Sequence, residues 1–169
     1  MSTENIMAMK ERIIGWLKEE ACSPTEQPDP NSYFNIAIKM GVFKCLIVQP
    51  VQKTDSIIAV SRVILPPDML GLLKAIDSEK RTELFWNLRL SILKNSELLE
   101  FNIESDSTDD IKSVTLISRP VFYDEMTKSR LFSAIYAVTR ATLMVMFTLQ
   151  KYSGKMPSKK DEQKLSYSS

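Results

Sequence analysis

Residues 33–67 read YFNIAIKMGVFKCLIVQPVQKTDSIIAVSRVILPP. Three apolar runs follow one another here, divided by turn residues, with no helical period between them. In residues 33–40, Phe34, Ile36 and Ile38 fall on one side and Asn35, Ala37 and Lys39 on the other, the period of a strand. Met40 and Gly41 supply a tight turn, residues 42–48 continue as a mostly apolar strand ending near Pro50, and residues 52–56 form a polar turn. Residues 57–65 make a third strand whose only charge is Arg62. A strand apolar on both sides is expected at the centre of its sheet. Pro66 and Pro67 end it. Consecutive strands without intervening helices pair as antiparallel neighbours, which points to an α+β domain.

Working outward, the chain after Pro67 turns helical. Met69, Leu70, Leu72, Leu73 and Ile76 form the apolar side of a short helix, and Ser78 caps a second helix running to Asn95. That second helix has two apolar faces: Leu84, Phe85, Leu88 and Ile92 on one, and Trp86, Leu90 and Leu93 opposite. Two strands follow. Leu99, Phe101 and Ile103 alternate with Glu100, Asn102 and Glu104, and residues 111–118 return after an acidic turn. A long helix spans residues 124–152 and is nearly all apolar over 131–149. On the N-terminal side, Ile6, Met9, Ile13, Leu17 and Ala21 recur at helical spacing over residues 3–21, with Ser2 or Thr3 as cap. Gly15 within this helix suggests a close contact. The order is therefore α-βββ-α(α)-ββ-α: a five-stranded antiparallel sheet with helices packed on it. Residues 1–152 form one domain, and residues 153–169 form a flexible Lys- and Ser-rich tail.

Composition narrows the chemistry. Among 169 residues there is no histidine, which removes imidazole-based hydrolases, His-ligated zinc and His-ligated haem. Gly15, Gly41, Gly71 and Gly154 lie far apart, so neither a phosphate-cradling loop nor a dinucleotide fingerprint can be written. Cys22 and Cys45 are too few for a disulfide scaffold or a thiolate zinc site. With Asp106 as the first ligand of a calcium loop, the sixth and twelfth positions would hold Ile111 and Ile117 instead of Gly and Glu, so the acidic turn is an ordinary hairpin turn. The polar N-terminus carries no signal peptide, and an intracellular, cytoplasmic protein with reduced thiols is expected. A net charge of +1 gives no basic footprint for nucleic acid. The long helix holds Arg140 near its middle, which argues for a buried helix over a membrane span. Asp124 and Glu125 are acids at a helix start, where the dipole favours them, and mark no catalytic pair. No enzyme activity and no cofactor is expected.

Two surfaces ask for a cover. On the long helix, Leu131, Ile135, Val138, Val145 and Leu149 face the sheet, while Phe132, Tyr136, Leu143 and Phe147 need the first helix or a second chain. Trp86, Leu90 and Leu93 need either the short helix after Pro67 or a partner, and Trp is enriched at interfaces. The expected interface therefore comprises Trp86, Leu90, Leu93, Phe132, Tyr136 and Phe147. The competing expectation is a small-ligand regulatory domain, with a pocket between sheet and long helix near Arg62, Arg140 or Tyr136.

Two stretches carry a family likeness: Val63-Ile64-Leu65-Pro66-Pro67 leading to Leu70, Leu72 and Leu73, and Ile117-Ser118-Arg119-Pro120-Val121 with Asp124-Glu125-Met126-Thr127 entering the last helix. With this element order, the chain resembles the type III secretion chaperones and the bacterial sensory-transduction regulators over residues 4–152. It is also similar to an uncharacterised, mainly archaeal, family of unknown function. The resemblance implies a non-enzymatic domain that dimerises and holds a protein segment along helix and sheet surfaces. Secretion chaperones are typically acidic, whereas this chain is near neutral.

Overall fold

The computed structural model describes residues 3–41, 43–105 and 111–154. The acidic turn at 106–110 and the sequence beyond Gly154 lie outside the described residues. Helix α1 (Thr3–Glu19) precedes a two-residue strand β1 (Thr25–Glu26) and the three predicted strands β2 (Ser32–Met40), β3 (Phe43–Pro50) and β4 (Ser56–Ile64). Helices α2 (Pro67–Ala75) and α3 (Ser78–Leu93) lead to β5 (Leu98–Ser105) and β6 (Ile111–Ser118). A second two-residue strand, β7 (Val121–Phe122), and a 3-10 turn (Tyr123–Glu125) precede α4 (Lys128–Ser153).

The expected five strands are joined by these two short ones, giving seven in the order β1-β2-β3-β4-β6-β5, with β7 on β4. Every pairing is antiparallel. β1 and β7 escape a sequence reading because two residues show no alternation. β4 is the middle of the five long strands, as its apolar character predicts. β5 runs parallel to β4 with β6 between them, so the crossover carries α2 and α3 over the sheet.

All helices cover the same side. Ile36, Ile38, Cys45, Ile47, Ile57 and Ala59 pack with Ile6, Ile13 and Leu17 of α1 and the first half of α4. Val63, Val114 and Leu116 pack with Leu84, Leu88 and Ile92 of α3 and the second half of α4. α4 thus joins both halves of the core. It is long and apolar enough to cross a membrane, yet half of its most apolar stretch is buried inside the domain. Among the described residues, the other side of the sheet has no helix. It carries a cross-strand row of Ala37, Leu46, Val60 and Ile117.

Several local expectations need correction. α1 stops at Glu19, and Ala21 takes φ 55, closing the helix with a Cys22 N–H to Leu17 carbonyl bond of 2.9 Å. Gly15 faces open space, so no close contact explains it. Asp77, not Ser78, caps α3, its carboxylate accepting from the Lys80 N–H at 2.9 Å. Leu99 does not share a face with Phe101 and Ile103. A register shift between Leu98 and Glu100 turns it outward, and it is 52% exposed. The last helix begins at Lys128 behind a Thr127 cap, because residues 123–125 form the 3-10 turn. At its other end Ser153 is still helical and Gly154 closes the helix at φ 68, so the helix ends one residue later than expected.

Candidate functional site

Two regions merit a functional reading: the outer side of α3 and α4, and a cleft in the sheet. On α3, Leu84, Leu88 and Ile92 are buried on the core side. Trp86, Leu90 and Leu93 lie on the opposite side and are 57%, 50% and 66% exposed. α2 does not fold over them. α3 lies against α4, tied by Asn87 Nδ2 to Tyr152 Oη at 2.5 Å and by Asn95 Nδ2 to the Ala137 carbonyl at 3.5 Å. On α4, Tyr136 and Phe147 are exposed, as expected of a face turned from the sheet. Phe132 leaves this set. It is buried in the cluster formed with α1, its ring 6.1 Å from that of Tyr136, so α1 supplies its cover. Charges of both signs flank the stripe, including Arg140 and Glu97, whose charged groups are 3.8 Å apart.

The cleft arises from the way β3 and β4 part. The β2–β3 hairpin pairs out to Met40 and Phe43, but the β3–β4 ladder is confined to Leu46–Val60, Ile47–Ala59 and Val48–Ile58. Beyond Val60, β4 follows β6 instead, pairing through Ile64 with Ser113. Residues 43–45 and 61–64 therefore diverge, and the gap is a cleft of about 750 Å³. Leu46 and Val60 line it, Ser61, Thr142 and Met146 also border it, and Lys39, Lys44 and Arg62 bring positive charge. This cleft lies between two strands and differs from the pocket expected between sheet and long helix; of the three residues expected there, Arg62 lines it and Arg140 and Tyr136 do not.

Ser61 and Thr142 are almost fully buried and link β4 to α4. Thr142 Oγ1 lies 2.7 Å from the Val138 carbonyl and 2.8 Å from Ser61 Oγ. Thr142 donates its proton to the carbonyl in the usual back-bonded manner. Ser61 then donates to Thr142, and the Lys44 carbonyl keeps only a long 3.4 Å contact. Arg62 is engaged: its Nη2 donates to Glu104 Oε2 at 2.6 Å and to Ser113 Oγ at 3.2 Å. Ser113 and Arg62 together hold the Glu104 carboxyl below its ordinary value. Lys39 and Lys44 are direct cross-strand partners, and neither makes an ion pair among the described residues. A sequence reading missed this pair, although the hairpin carries the signal: Lys39 and Lys44 each lie one step outside the Met40–Phe43 pair that closes it.

Neither thiol is activated. Burial pushes the Cys45 thiol up to about 12, and burial with the nearby Glu20 charge raises that of Cys22.

Among the described residues these features define a class: an antiparallel α+β domain with its helices on one side of the sheet, the other side open and cleft between two strands. Within that class, the chain belongs to the family described as "Uncharacterized conserved protein (DUF2299)", matched over residues 9–149. Among solved structures it is similar to an uncharacterized protein from Methanothermobacter thermautotrophicus. The two share 29% identity and a TM-score of 0.77, covering 84% of this chain and 96% of that one. No curated protein matches the chain. The expected kinship with an uncharacterised family stands.

Proposed function

We propose that the protein is a non-enzymatic binding domain, chaperone-like or adaptor in character, that forms a homodimer through the outer side of α3 and α4. The observation that carries this reading is the exposure of Trp86, Leu90 and Leu93 on a helix whose other face already fills the core. Apolar area contributes about 25 cal/mol per Å² when removed from water, and isolated patches of large side chains commonly mark interfaces. The i, i+4, i+7 spacing lets two copies of α3 interlock about a two-fold axis. Flanking charges of both signs favour a self-complementary surface. The likeness to secretion chaperones, which dimerise, supports the same reading. The domain acts in the cytoplasm, without nucleic-acid or membrane partners.

The test is sedimentation velocity of the native chain and of Trp86→Glu, with circular dichroism as the folding control. The native chain is expected to dimerise, and the variant to remain folded and monomeric. A dimer unaffected by the substitution contradicts the assignment.

A second reading is favoured by the parting of β3 and β4, which opens space beside two lysines that make no ion pair among the described residues. In that reading the domain is a small-ligand regulatory domain that holds its ligand in the cleft. At about 750 Å³ the space falls within the range of ligand pockets, roughly 300–1,000 Å³.

A further inference from the structure

We infer that the cleft between β3 and β4 takes an amphiphilic organic anion: a medium-length apolar body with a carboxylate or phosphoryl head held between Lys39 and Lys44. The inference rests on reading the cleft as a ligand site. Like charges directly opposite one another in a sheet are destabilising. Lys39 and Lys44 occupy such positions at the cleft, and no carboxylate among the described residues neutralises them. Arg62, the third cation at the cleft, is held by Glu104 and Ser113. A single anionic head bridging the two ammonium groups removes their repulsion and gains two charge-assisted hydrogen bonds. Beyond the head, the cleft turns apolar at Leu46, Val60, Val63 and Met146, which suits a hydrocarbon body. The buried hydroxyls of Ser61 and Thr142 satisfy each other and the Val138 carbonyl, so they ask little of the ligand.

The experiment is a titration of the full chain with four probes that share a ten-carbon chain, each kept below its micelle-forming concentration: decanoate, decyl phosphate, decanol and decyltrimethylammonium. Binding is read from nuclear magnetic resonance shifts of the Leu46 and Val60 amides and the Met146 methyl group. One or both anions are expected to saturate these signals, and the tighter of the two identifies the head. Decanol, the cation, and either anion on the Lys39→Gln/Lys44→Gln variant are expected to bind at least about tenfold more weakly. Without ligand, that variant is expected to melt higher than the native chain, because the repulsion is gone. Decanol binding the cleft as tightly as the anions overturns the anionic class while leaving the cleft a ligand site. No shift at these three residues with any probe overturns both.

Discussion

At the scale of single residues, the most constrained polar group outside the cleft is Gln49. It is fully buried on β3, where Tyr123 Oη donates to its Oε1. Its Nε2 has no partner among the described residues. Burial pushes the Tyr123 hydroxyl from its ordinary 10.0 up to about 12, outweighing the opposing hydrogen bond to Gln49. A group that ionises less readily when folded leaves stability intact below its unfolded value. As pH rises from about 10 towards 12, the unfolded chain loses the proton first, so stability falls. Cys45 acts in the same direction from about pH 9. Equilibrium urea unfolding is therefore expected to show declining stability above pH 9, with a shallower loss above pH 10 in Tyr123→Phe. An unchanged slope in that variant would sink this account of Tyr123. None of this was legible in the sequence, because Gln49 and Tyr123 are 74 positions apart and meet only through the β4–β7 pairing that places residue 123 beside the sheet.

At the scale of elements, hydrophobic periodicity located the helices and long strands, and local chemistry set their ends. Asp77 outcompeted Ser78 as the cap of α3 because the carboxylate at that position reaches the Lys80 N–H. Asp77→Ala is expected to cost about 1 kcal/mol in thermal or urea unfolding, while Ser78→Ala leaves stability nearly unchanged. Equal losses would contradict the cap assignment. Gly15 gives the converse case. A Cβ added there meets nothing within 4 Å, so only backbone propensity separates Gly from Ala. Gly15→Ala is expected to stabilise α1 by up to about 1 kcal/mol, and a destabilised variant would show that the glycine has a packing role after all. The misplacement of Leu99 has a different origin: alternation assumes an uninterrupted ladder, and one register shift moves a residue to the other side.

At the scale of the whole molecule, the sequence revealed that the elements form an α+β domain but not how the layers distribute. Strand runs dictated antiparallel pairing, and β4 identified itself as central by its composition. The β4–β5 crossover lays α2 and α3 on one side, and α1 and α4 join them there through the shared core, which no local pattern records. That arrangement decides the candidate site. Phe132 is buried in the cluster that α1 shares, whereas Trp86, Leu90 and Leu93 are turned away from the core that buries the opposite face of α3. The exposed stripe was readable as two apolar faces on one helix. The cleft was not, since it depends on β4 leaving β3 to follow β6.

The measurement that tests this account most directly is the environment of Trp86 as a function of protein concentration. In a Trp16→Phe chain, Trp86 is the sole tryptophan. At micromolar concentrations its emission is expected to be blue-shifted and protected from iodide, with both features lost on dilution as the dimer dissociates. A red-shifted, fully quenchable Trp86 at every concentration would mean that no second copy covers this face, and would contradict the proposal.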